Sequence, residues 1–207
     1  MAQTPAPKPD FASDAEKTIY SIGLAIYPKL APFELSAGEL EILVRGLRDA
    51  AAGKPALNLN EWGPKIDQLP RERAKAAGKA YLEKAAAEPG AVKTESGLVY
   101  RELKAGAGAS PAATDTVKVH YRGTLVNGTE FDSSYKRNEP AQFALNGVIR
   151  CWTEGVQKMK PGGKSVLVCP SDLAYGDGGR PSIPGGATLV FEIELLEVVG
   201  AVPPDKK

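Results

Sequence analysis

The chain has 207 residues, 25% of them charged and 43% hydrophobic, with a formal net charge of +1. This is the balance of an ordinary soluble globular protein with room for two modest domains, and it gives no electrostatic reason to bind nucleic acid or an anionic membrane. One His and two Cys cannot build a zinc module, no apolar run nears the roughly 20 residues of a membrane span, and no Gly-rich phosphate loop is present.

The first residues, MAQTPAPKPD, are Pro-rich and read as a disordered leader over residues 1–12. An Ala-Gln start behind an added Met suits a mature periplasmic or secreted protein, and a cytoplasmic N-terminus suits it as well. From Ser13 to about Pro89 the pattern is helical. Ser13 with Glu16, and Ser36 with Glu39, are capping boxes. Ile19, Ile22, Ile26 and Leu30 form one apolar stripe, which Pro28 is expected to end or kink near Tyr27. Leu40, Leu43, Val44 and Leu47 form a second, stopped by Gly53 and Pro55. Between Pro64 and Glu88 the large apolar residues are sparse, so this third stretch reads as a solvated arm. The boundary of the helical domain is placed at residue 93, giving domains 13–93 and 94–207.

From Ser96 the period becomes two. Val117, Val119 and Tyr121 alternate with Lys118, His120 and Arg122, and Asn127-Gly128 predicts a hairpin turn using positive φ. Gln142–Leu145 and Ser165–Cys169 read as strands, and Leu189, Phe191, Ile193 and Leu195 line one face of a last one. A single short helix surrounds Trp152, Val156 and Met159. The fold class is α+β: an antiparallel twisted sheet wrapped on one short helix, preceded by an all-helical domain. By period alone Tyr121, Phe143 and Phe191 are core residues, Trp152 is packing, and Asp132-Ser133-Ser134 is a polar turn.

VHYRGTLVNGTEFDSS at residues 119–134 resembles the signature of the FKBP-type peptidyl-prolyl cis/trans isomerases. RNEPAQFAL, GVIRCWTEGVQKM, PSDLAYG and ATLVFEIELLEV continue the likeness in family order across residues 95–199. The helical half more loosely resembles the N-terminal domain of Mip-like and FkpA-like bacterial members. The resemblance implies isomerisation of X-Pro bonds in unfolded or partly folded chains, joined to chaperone activity. It implies no cofactor or metal. The rival reading is a non-catalytic holdase or binding module using the same pocket.

By motif position, Tyr121, Phe131, Asp132, Trp152, Tyr175 and Phe191 are the implied catalytic residues. Arg137, Phe143, Val148, Ile149 and Ile183 are the implied substrate-binding ones, with Trp152 as the floor and Arg137 orienting Asp132 and Tyr121. Ala141 replaces a pocket aromatic of eukaryotic relatives, so macrolide inhibitors of the class should bind, but more weakly. The partners implied are proline-containing polypeptides and a second copy of the chain, paired through the N-terminal helices. The alternative is that those stripes pack on the chain's own catalytic domain. In the family's fold Cys151 and Cys169 come near each other, so a disulfide is one reading and two buried thiols the other.

Overall fold

The computed structural model describes residues 11–201. Residues 1–10 of the expected leader lie outside the described residues, while Phe11 packs its ring 5.0 Å from that of Tyr20. The chain divides into two compact units between Gly63 and Pro64.

The first unit carries α1 (Asp14–Leu30) and α2 (Ala37–Ala51), and α3 (Leu59–Ile66) begins in it. Ser13 caps α1 by accepting from the Glu16 N–H at 3.2 Å, but the Glu16 carboxylate takes the Ala12 N–H instead of closing the box. Ser36 and Glu39 complete theirs on α2. Pro28 does not stop α1 at Tyr27. The helix runs through Leu30, because a proline in the last turn removes a single backbone bond. Neither helix buries a residue. α1 also has a second stripe, Tyr20, Leu24 and Tyr27, beside the expected one, and every one of these side chains but the half-buried Leu30 is exposed.

In the second unit, α4 (Gln68–Ala86) leads into β1 (Ala91–Lys93), β2 (Val99–Lys104), β3 (Asp115–Leu125), β4 (Glu130–Ser133) and β5 (Ala141–Ala144). After these come α5 (Arg150–Val156), β6 (Lys164–Cys169) and β7 (Leu189–Ala201). The sheet is antiparallel in the order β1-β2-β6-β7-β3-β4, with β5 sharing the β3 edge beyond β4. Between β3 and β4 the Gly128 N–H bonds the Leu125 carbonyl, and Gly128 alone of the pair takes positive φ. β3 and β4 thus pair as the expected hairpin, through a turn that uses positive φ only at the glycine.

The strand period decides what each face meets. Leu98, Tyr100, Leu167, Leu189, Phe191 and Ile193 are buried in one core with Cys151, Trp152 and Val156 of α5. Val99, Val166, Val168 and Val190 face the other way and pack with Tyr81, Leu82 and Ala85 of α4. So α4 is not a solvated arm; its buried stripe is made of small residues. Gly78 lets the helix approach the sheet, since a Cβ there would sit 2.3 Å from Thr188 Oγ1 and 2.8 Å from Thr188 Cβ. Gly→Ala in a helix ordinarily gains about 1 kcal/mol. Here Gly78→Ala is expected to lose about 1–3 kcal/mol through overpacking. A urea midpoint unchanged or raised in that variant would contradict the close approach. Among the described residues no helix is long and apolar enough to cross a membrane.

Candidate active site

A cavity of about 490 Å³ opens between β3, β4 and β7, the start of α5 and the loop after β6. Trp152 is its base. The rings of Tyr121, Phe143 and Phe191 meet the indole edge-on at 5.2, 5.4 and 5.4 Å, with interplanar angles of 83–88°. Phe131 stands edge-on to Phe191 at 5.6 Å. Such T-shaped pairs match ring edges to ring faces and hold the basket rigid. Val148, Ile149, Ala174 and Tyr175 continue the wall. The Trp152 indole N–H is buried with no partner among the described residues. The Ile149 backbone N–H likewise donates to no group among the described residues.

Asp132 is the one carboxylate in the lining. It accepts from the Tyr121 hydroxyl at 2.5 Å and from Arg137 at 2.6 Å, and Arg137 also donates to the Tyr121 oxygen at 3.0 Å. Burial works against its ionisation. The hydrogen bonds from Tyr121 and Arg137, with the guanidinium charge, outweigh that and hold the carboxyl below the usual aspartate value. Burial first, then the Asp132 hydrogen bond, push the Tyr121 phenol up, so it stays a neutral donor. Arg137 is not among the lining residues and meets the cavity only through its hydrogen bonds to Asp132 and Tyr121.

Ile183 is not among the residues lining the cavity; it is buried in the core cluster that also holds Trp152 and Phe191, and its backbone pairs with Arg180. Two residues that motif reading left without a role belong to the site. Arg180 lines the mouth with its guanidinium carbon 5.2 Å over the Tyr175 ring. Gly123, in the middle of β3, has no room for a side chain, because a Cβ would come within 2.7 Å of Phe131 and 2.9 Å of Phe191. A glycine interrupting a strand pattern is the signal that another group approaches closely there. His120 is not part of the cavity lining; it stacks on Tyr135 at 4.8 Å, with Nδ1 3.0 Å from Ser134 Oγ.

Cys151, beside Trp152, and Cys169, at the end of β6, are joined by a disulfide with Cα atoms 5.7 Å apart. The base of the cavity is thereby tied to the sheet.

The family model described as FKBP-type peptidyl-prolyl cis-trans isomerase matches residues 108–196, and that of the domain amino terminal to it matches residues 15–101. The chain is 39% identical to the FKBP-type peptidyl-prolyl cis-trans isomerase FkpA of Escherichia coli O6:H1, a match covering 100% of this chain and 84% of that protein. The chain belongs to the FKBP-type peptidyl-prolyl cis-trans isomerases. It is also 43% identical to the FKBP-type 22 kDa isomerase of E. coli K12, covering 92% of this chain and 98% of that one. Among solved structures, E. coli FkpA superposes with a TM-score of 0.64 at 37% identity, over 94% of this isomerase and all of that chain. An isomerase of Pseudomonas syringae matches 61% of this chain and 94% of its own, with a TM-score of 0.57 at 40% identity. This isomerase therefore has the α+β catalytic fold behind N-terminal helices, and it acts on X-Pro peptide bonds.

Proposed function

We propose that the aromatic cavity is the catalytic site and that its substrates are X-Pro segments of unfolded or partly folded polypeptides. An X-Pro amide exchanges over a barrier of about 18–20 kcal/mol without any bond breaking. The site needs only to favour the twisted amide, in which the carbonyl loses resonance and the amide becomes less polar. The observation that carries the reading is the edge-on basket of Tyr121, Phe131, Phe143 and Phe191 around Trp152, with a single fixed carboxylate at its side. In this scheme the proline ring rests on Trp152, and the carboxylate of Asp132 faces the rotating amide. The Ile149 N–H and the Tyr175 hydroxyl hold substrate carbonyls, with Val148 as rim. Two-dimensional exchange NMR on an X-Pro peptide, paired with a proline-limited refolding assay, tests it. Macrolides of the class would enter the same cavity, past the small Ala141 side chain.

In our reading α1 and α2, ahead of the α4 helix that packs on the sheet, form a dimerisation domain. Ile19, Leu24, Ile42 and Leu47 are 58–71% exposed, which is apolar surface that a second copy of the chain would cover. Two catalytic units held in one dimer then act on one client, which gives a holdase role beside isomerisation. Light scattering at micromolar concentration is expected to return twice the chain mass; a monomer mass would overturn the dimer. The only two cysteines being bonded supports an oxidising compartment, the periplasm or the cell exterior.

A further inference from the structure

We infer that Arg180 selects substrates with an acidic residue flanking the proline, an inference that rests on the cavity being the catalytic site. Two ionised side chains line that cavity, Asp132 and Arg180. Asp132 is already balanced by Arg137 at 2.6 Å. Asp177, the carboxylate nearest to Arg180 in sequence, is taken by Lys75 at 2.7 Å. Among the described residues no carboxylate pairs with Arg180, so the mouth of the cavity carries one uncompensated positive charge.

The position of that charge is fixed rather than incidental. Arg180 and Ile183 exchange both backbone hydrogen bonds, at 2.8 and 2.9 Å, in a tight hairpin. The Ile183 side chain anchors the hairpin in the core. From there the guanidinium lies over the Tyr175 ring at 5.2 Å. Stacking on an aromatic face restrains the planar group while leaving its N–H donors free, and those donors match a carboxylate two at a time. A peptide whose proline sits on Trp152 carries its neighbouring side chains across this rim. A Glu or Asp there gains an ion pair; a Lys or Arg meets repulsion. The pair is partly solvated, so the expected preference is modest, about two- to fivefold at low salt, and screened by added salt.

The test uses the full-length protein and short peptides identical except for Glu, Gln or Lys, placed just before the proline in one series and just after it in the other. Catalysed rates, with spontaneous exchange subtracted, are compared within each protein variant as Glu-to-Lys ratios. Wild type is expected to prefer Glu about two- to fivefold in at least one series, and to lose that preference in 0.5 M salt. Arg180→Lys should retain most of the ratio, Arg180→Gln should bring it to one, and Arg180→Glu should invert it. Because each ratio is internal to one variant, a general loss of activity does not disturb it. Acceleration of the Gln peptides with equal Glu-to-Lys ratios in wild type and Arg180→Gln would overturn this inference alone. No acceleration of any peptide would overturn the cavity's assignment and this inference with it.

Discussion

Asp132→Val is expected to lower kcat/KM on an X-Pro peptide about ten- to a hundredfold, equivalent to roughly 1.4–2.7 kcal/mol of transition-state stabilisation. The substitution removes the acceptor of both the Tyr121 hydroxyl and Arg137, so the one carboxylate lining the cavity is lost and Tyr121 loses its anchor. The fold should survive. Asp132 and Arg137 are 43% and 49% exposed, and an ion pair so open to solvent adds little to stability. Phe131→Ala should act in the same direction by opening the wall opposite Phe191. Exchange NMR gives the rates and circular dichroism the fold; equal rates in wild type and both variants would sink the catalytic assignment.

The pH dependence follows from the same contacts. The folded-state pKa of Asp132 is depressed, so any stability it contributes is present above its unfolded value and lost as pH falls through the lower folded one. Activity that needs the carboxylate should therefore hold steady down through the ordinary aspartate range and fail only below it. A break in wild-type activity near neutrality that persists in His120→Gln would contradict this.

Removal of the disulfide is expected to destabilise the catalytic unit by about 3 kcal/mol, the entropy of closing a loop of this length in the unfolded chain. Cys151 and Cys169 are 18 positions apart, and both are wholly buried. The paired Cys151→Ala, Cys169→Ala variant is preferable to serines, which would bury two unmatched hydroxyls. Its melting temperature should fall by roughly 6–12 °C for a unit of this size, and wild type in reductant should move most of the way to the same value. Identical denaturation midpoints with and without reductant would show that the bond contributes nothing. Because Cys151 adjoins Trp152 in α5, weaker binding of peptides in the reduced protein is the expected companion.

The catalytic half was legible because two signals agreed. Strand alternation put Tyr121, Phe191 and Ile193 on one face, and motif order distinguished cavity wall from plain core. For Ile183, motif position specifies a backbone site in the loop and not whether its side chain meets the cavity or the core. Arg180 and Gly123 were missed for opposite reasons: one is a lone exposed charge, the other an absence of side chain. α4 was misread because a search for large apolar residues gives too little weight to a stripe in which Ala74, Gly78 and Ala85 lie beside Tyr81 and Leu82. Small residues bury little area each, yet they let a helix lie close against a sheet. The width of the apolar surface on α1 was underread for a related cause, since two adjacent stripes, of four and of three residues, look like one stripe with noise.

The two-sided cover of the sheet bears on how this protein can be dissected. A fragment begun at residue 94, where the sequence period changes, would keep every residue of the cavity. It would also strip Val99, Val166, Val168 and Val190 of the helix that shields them. Four valines side by side on a β-surface invite self-association once bared to water. The smallest catalytic fragment that stays soluble by itself should therefore begin before Gln68, with α4 retained as its lid against aggregation.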